Sequence, residues 1–131
     1  MKMILGLLTA LLLVSPVMAE TALYCQEKAH GGVTSKYGQM TTTTFLLERH
    51  TFLLSDDRRT LKINIGEDYR RKFHCKEDYR EIECNDDILK ERVVLTKNLR
   101  RFFWVRMNGL VLQTDVKEYW AHISIGTCEK F

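Results

Sequence analysis

Proline is almost missing from this chain. The single one, Pro16, lies near the start, so later turns must be made by Gly, Asn, Asp or Ser. No apolar run beyond residue 19 is long enough for a membrane-spanning helix. Excess charge is also lacking: 20 Lys and Arg face 17 Asp and Glu, a formal net charge of +3. That balance offers no electrostatic footprint for nucleic acid. There is no Gly-x-Ser-x-Gly and no His-Glu-x-x-His motif, and the four histidines are scattered. Internal repeats, low-complexity tracts and an interdomain linker are absent as well. These absences leave a single compact domain with no catalytic signature.

The first nineteen residues read as a secretory signal. Lys2 supplies the positive start, Ile4 to Val14 the apolar run, and Ser15-Pro16 the break. Val17 and Ala19 place small residues where a signal peptidase reads, so cleavage is expected between Ala19 and Glu20. A lipid anchor at Cys25 is not expected, because bulky Tyr24 precedes it. The expected mature chain, residues 20–131, has 112 residues, enough for one real core. It is expected in the periplasm or outside the cell, with no membrane insertion after cleavage.

All four cysteines, Cys25, Cys75, Cys84 and Cys128, fall in this mature part. An even count in an exported chain points to disulfides, and four cysteines allow three connectivities. The favoured one joins Cys75 to Cys84 across a tight loop and Cys25 to Cys128 across the two ends of the domain. Zinc is not expected. His74 beside Cys75 is the nearest approach to a metal motif, but no paired short Cys spacing accompanies it. No cofactor is expected either.

The pattern along the chain is that of strands. Leu23-Tyr24-Cys25 suits a first strand, and His30 to Gln39 reads as a loop rich in small residues. Thr41 to Leu47 and His50 to Leu54 suit strands. The clearest alternation sets Leu61, Ile63 and Ile65 against Lys62 and Asn64. Gly66-Glu67-Asp68 and Asn85-Asp86-Asp87 mark turns. Ile88 to Thr96 is expected to hold a short helical turn, capped by Asp86 or Asp87, followed by a strand. Asn108-Gly109 suits a two-residue type I′ hairpin. That turn would set Trp104 opposite Gln113 and Arg106 opposite Val111. The expected fold is all-β: a small antiparallel barrel or sandwich of about eight strands, with one short helix allowed, stapled by disulfides.

The same hairpin would put Phe103, Val105, Met107, Leu110 and Leu112 on a core face. Phe102, Trp104 and Arg106 would then line up on the wetter face, beside Arg101. Aromatic and Arg residues are common anchors of interfaces, and guanidinium stacks on indole. Phe102, Trp104, Arg106 and Arg101 are therefore the candidate binding residues. On the last strand, His122, Trp120 and Ser124 share a face, read as the outer one, and no catalytic residues are assigned.

Several segments carry a family likeness. They are Leu23-Tyr24-Cys25 after the signal, Phe45 to Phe52 with Glu48-Arg49 and Thr51, the Cys75/Cys84 pair, Asn98 with Arg101-Phe102, and the closing Gly126-Thr127-Cys128-Glu129-Lys130-Phe131. Together they resemble a family of short exported proteobacterial proteins. The resemblance implies an exported all-β domain with disulfides, and brings no known activity and no functional residues. The chain is more weakly similar to the periplasmic inhibitors of C-type lysozyme, small β-barrels with a Tyr-Cys or Tyr-x-Cys start. Their inhibitory loop sequence is absent here, so no residues are carried over. The expected function is a non-enzymatic protein-binding or inhibitor-like module of the cell envelope, with an envelope or extracellular protein as partner. The alternatives are a barrel that carries a small apolar ligand and, third, an enzyme of unknown type.

Overall fold

A computed structural model describes residues 19–65, 69–86, 88, 90–108 and 118–131. Residues 1–18, 66–68, 87, 89 and 109–117 lie outside the described residues, and with them the expected signal, the expected turn at Gly66-Glu67-Asp68 and the expected strand after Asn108-Gly109. Among the described residues there are nine strands: β1 (Glu20–Lys36), β2 (Gln39–Thr44), β3 (Arg49–Ser55), β4 (Thr60–Ile65), β5 (Tyr69–Glu77), β6 (Glu81–Asp86), β7 (Glu91–Thr96), β8 (Arg101–Asn108) and β9 (Glu118–Lys130). Sheet order is β2-β1-β3-β4-β5-β6-β7-β8-β9, and β1 also pairs with β9. Eight antiparallel strands thus close into an up-and-down barrel, and β2 adds a ninth to the far half of β1. The expected all-β barrel is the fold observed.

Alternation fills the barrel. Leu23, Phe52, Leu54, Leu61, Ile63, Phe73, Ile82, Val93, Leu95, Phe102 and Trp104 are all buried, two residues apart wherever they share a strand. An eight-stranded barrel is just wide enough for side chains to fill. The disulfides are those expected. Cys25 and Cys128 face each other in the β1–β9 ladder and bond at the seam that closes the barrel. Cys75 and Cys84 do the same between β5 and β6.

Four local expectations are corrected. First, His30 to Gln39 is not a loop: β1 continues to Lys36 and turns through Tyr37 and Gly38, both at positive φ. Its small residues serve close packing. A Cβ on Gly32 would meet the Ala121 carbonyl oxygen at 2.1 Å, so only glycine lets β9 approach here. Second, the expected strand from Thr41 to Leu47 ends at Thr44. Third, no helix forms among the described residues. Asp86 Oδ1 accepts the Ile88 N–H at 2.9 Å, Lys90 takes a positive φ, and β7 starts at Glu91. The acidic residue therefore organises a turn, not a helix cap.

The fourth correction is to β8. It lies between β7 and β9, with Trp104 between Val93 and Ser124, and its expected partner Gln113 lies outside the described residues. Arg106 lies opposite His122, and its expected partner Val111 also lies outside the described residues. The expected faces are inverted. Phe102 and Trp104 point into the barrel, and Phe103 points out. The same holds for β9, where Ser124 is buried while Ile123 and Ile125 are exposed. Volume decides between the faces. Opposite Trp104 stands Ser124, and opposite Phe102 stands Gly126. Large rings beside small residues fill the narrow interior without collision.

Candidate functional site

The barrel interior is apolar over most of its length and carries buried charged side chains toward one pole. At the charged pole β3, β5 and β7 begin and β8 ends. His50, Arg71, Glu91 and Arg106 stand within three residues of those strand ends. Glu27 and His30 come from the middle of β1, where a bulge shifts its pairing with β9. His122 and Ser124 come from β9.

Glu27 is the centre of this pole and is fully buried. Its Oε1 lies 3.0 Å from His50 Nε2, and its Oε2 accepts the Glu48 N–H at 2.9 Å. Ser124 also hydrogen-bonds to it. His30 Nδ1 lies 3.1 Å from Oε2, and Arg106 lies 3.7 Å from Oε1. Burial pushes the Glu27 carboxyl up. Hydrogen bonds from His50, the Glu48 N–H and Ser124, together with the charge interaction of His30, outweigh it and hold the group below its ordinary value of 4.5. The carboxylate is thus ionised in the barrel interior.

Arg106 is the main counter-charge. It stacks over the Trp104 ring at 4.3 Å and donates to Ser124 Oγ at 3.2 Å, with His30 Nε2 at 3.1 Å. A guanidinium only donates, so His30 Nε2 accepts. Burial lowers the affinity of Arg106 for its proton, and Glu27 and Glu48 raise it again. Nearby, Arg71 on β5 forms an ion pair with buried Glu91 on β7. An aromatic rim surrounds the pole. Phe45 lies 3.9 Å from His122 and 4.8 Å from His30 between ring centroids, and Trp120 lies 4.3 Å from His122. Burial, then Arg106 and His30, holds His122 below its ordinary value of 6.5.

This arrangement answers the catalytic hint on β9. Ser124, Trp120 and His122 do share a face, but it is the inner one. The Ser124 hydroxyl accepts a hydrogen bond from Arg106 at 3.2 Å and is hydrogen-bonded to Glu27. Ligand atoms of Glu27, Glu48 and His50 lie within 4.8 Å of one another, a spacing that a cation could bridge.

The candidate binding residues separate. Phe102 and Trp104 are interior, and Trp104 is completely buried. Arg106 is turned inward onto Trp104, whereas Arg101 stays exposed on the outside. The expected aromatic-and-Arg surface is therefore not formed by these side chains. A different surface takes its place. On the outside of β8 and β9, Phe103 lies opposite Ile125, Val105 opposite Ile123, and Met107 opposite Ala121. Phe103 is 38 % exposed, Ile125 45 % and Ile123 47 %. Val94 on β7 and Ala29 and Val33 on β1 extend the same face. Exposed Arg101 lies opposite Thr127 at one end, and Arg92, paired with Glu83, flanks Val105. The sequence signal for this face was the run Ile123, Ile125 with Phe103 and Val105, read as core.

Fold and site together define a disulfide-closed β-barrel with a charged pole and an apolar outer face. Comparison with family models, curated proteins and solved structures finds no match. The two disulfides suit an oxidising, non-cytoplasmic compartment. Among the described residues no helix is long and apolar enough to cross a membrane.

Proposed function

We propose that this protein is a binding module of the cell envelope, periplasmic or secreted, and that it docks a protein partner on the outer face of β8 and β9. One observation carries the reading: Phe103, Ile123 and Ile125 are large, adjacent and partly open to solvent on a regular sheet. Contiguous exposed apolar surface of this kind marks interaction sites. An apolar centre with Arg101 and the Arg92–Glu83 pair at its edge follows the usual anatomy of a protein interface. The expectation of a binding module is thus kept, and its surface moves from Trp104 to Phe103 and the two isoleucines.

Carriage of an apolar ligand has less support. The apolar part of the interior is packed with Phe52, Phe73, Phe102 and Trp104, and the other pole is charged. The proposal is tested by replacing Ile123 and Ile125 with Asp and capturing cross-linked complexes from the cell envelope. The wild type should yield a defined complex that the variant lacks, while both remain folded and disulfide-bonded. Equal capture by the two proteins would overturn it.

A further inference from the structure

Independently of the docking face, we infer that Glu27, Glu48 and His50 form a binding site for one divalent transition-metal ion of the zinc class at the charged pole. Three parts of the chain supply the ligands: β1 gives Glu27, the connection after β2 gives Glu48, and the start of β3 gives His50. His50 Nε2 lies 3.0 Å from Glu27 Oε1 and 3.9 Å from Glu48 Oε2. Bonds of about 2.1 Å around a tetrahedral ion set ligand atoms about 3.4 Å apart. The two His50 separations, 3.0 and 3.9 Å, bracket that figure, and all three ligand atoms lie within 4.8 Å of one another, so side-chain adjustment would admit an ion.

The two oxygens of Glu27 have separate tasks. Oε2 is taken by the Glu48 N–H, which fixes the carboxylate, and Oε1 is turned to His50 Nε2. The same short segment thus positions Glu27 through its backbone and offers its own carboxylate as a ligand. Burial is graded in the way a metal site needs: the Glu27 and His50 side chains are 0 % and 6 % exposed, and that of Glu48 is 57 % exposed. The interior ligands are held, and the outer one leaves a path of entry.

A second observation points to a ligand. The His30 ring is 5 % exposed and its Nδ1 lies 3.1 Å from Glu27 Oε2, yet Nδ1 makes no hydrogen bond. A buried polar atom left unsatisfied beside an ionised carboxylate is costly in a purely structural network. In a metal site such a histidine stands in the outer shell, holding the ligand carboxylate in place.

The donor set selects the ion. One imidazole and two carboxylates suit zinc and its neighbours better than calcium or magnesium, which take oxygen ligands in larger number. The positive charge of Arg106, 3.7 Å from Glu27 Oε1, repels any divalent ion alike, so the nitrogen bond from His50 is what an ion must gain here.

The test is calorimetric titration of tag-free, oxidised protein with zinc chloride, with calcium and magnesium chloride as controls. One zinc should bind per chain, and neither control should. Glu48→Ala alters an exposed side chain, so it should keep the wild-type circular dichroism while weakening zinc at least tenfold. Histidine ring signals in the NMR spectrum should shift for His50 on zinc addition. Absence of a one-to-one zinc isotherm would overturn the inference. So would unchanged zinc affinity in Glu48→Ala, or zinc-induced shifts confined to exposed His74.

Discussion

Trp104 on β8 stands directly opposite Ser124 on β9, and both side chains point into the barrel. The next inward pair repeats the arrangement, with Phe102 opposite Gly126. Each bulky ring occupies space that its small partner leaves free. This complementarity sets which face of β8 is inside, and so which residues are left outside for a partner.

Removing the ring should be costly. Trp104→Ala is expected to lose about 3–5 kcal/mol, the usual loss for a buried aromatic. Denaturant unfolding with an unchanged m-value would measure it. A loss below about 1 kcal/mol would place the indole outside the core.

Filling the small side should also fail. A Cβ on Gly126 would meet the Gln26 carbonyl oxygen at 2.1 Å and the Phe102 ring at 2.5 Å. Gly126→Val is therefore expected to destabilise by at least about 1–3 kcal/mol, as overpacking does. A thermal melt at or above the wild-type midpoint would contradict this.

The seam disulfide should matter more than the hairpin one. Cys25–Cys128 spans 103 positions and Cys75–Cys84 spans 9. Loop-closure entropy assigns them about 4.7 and about 2.7 kcal/mol. Paired Cys→Ser variants compared by chemical denaturation should follow that order, and the reverse order would count against the entropic account.

Stability should fall with acid in two stages, measured in chelator. His122 has a lowered folded value, so its neutral form belongs to the fold. Its contribution is complete above its ordinary 6.5 and is lost as pH falls below it. Glu27 is also lowered, from 4.5, and its contribution is lost as pH drops below that value. His122→Asn should remove the upper stage and Glu27→Gln the lower one. Stability that rises as pH falls below 6.5 would contradict the His122 sign, and stability that rises as it falls below 4.5 the Glu27 sign.

Much of the fold was legible because it depends on local pattern. The alternation Leu61, Ile63 against Lys62, Asn64 has one apolar side, so its inward face is unambiguous. The cysteine pairs were legible because each joins residues that chain geometry can bring opposite each other. Phe102 to Met107 and Ala121 to Ile125 resisted reading for a physical reason. Aromatic or aliphatic residues occur on both sides of β8, and the tie is broken only by the small residues of β9. The strand expected after Asn108-Gly109 lies outside the described residues, and the neighbours of β8 that are described, β7 and β9, are set by closure of the barrel. The charged pole was not legible at all. Glu27 and His50 are 23 positions apart, and the β1–β3 pairing, which sets Gln26 opposite Arg49, brings them together.

The most direct test of the docking face is site-specific photocrosslinking in living cells, with the photoreactive residue at position 123 and, as a control, at position 62. Lys62 lies on β4, away from β8 and β9, and forms an ion pair with Glu20. A discrete adduct from position 123 with none from position 62 is the predicted result. Adducts of equal yield from both positions, or none from position 123, would contradict the account.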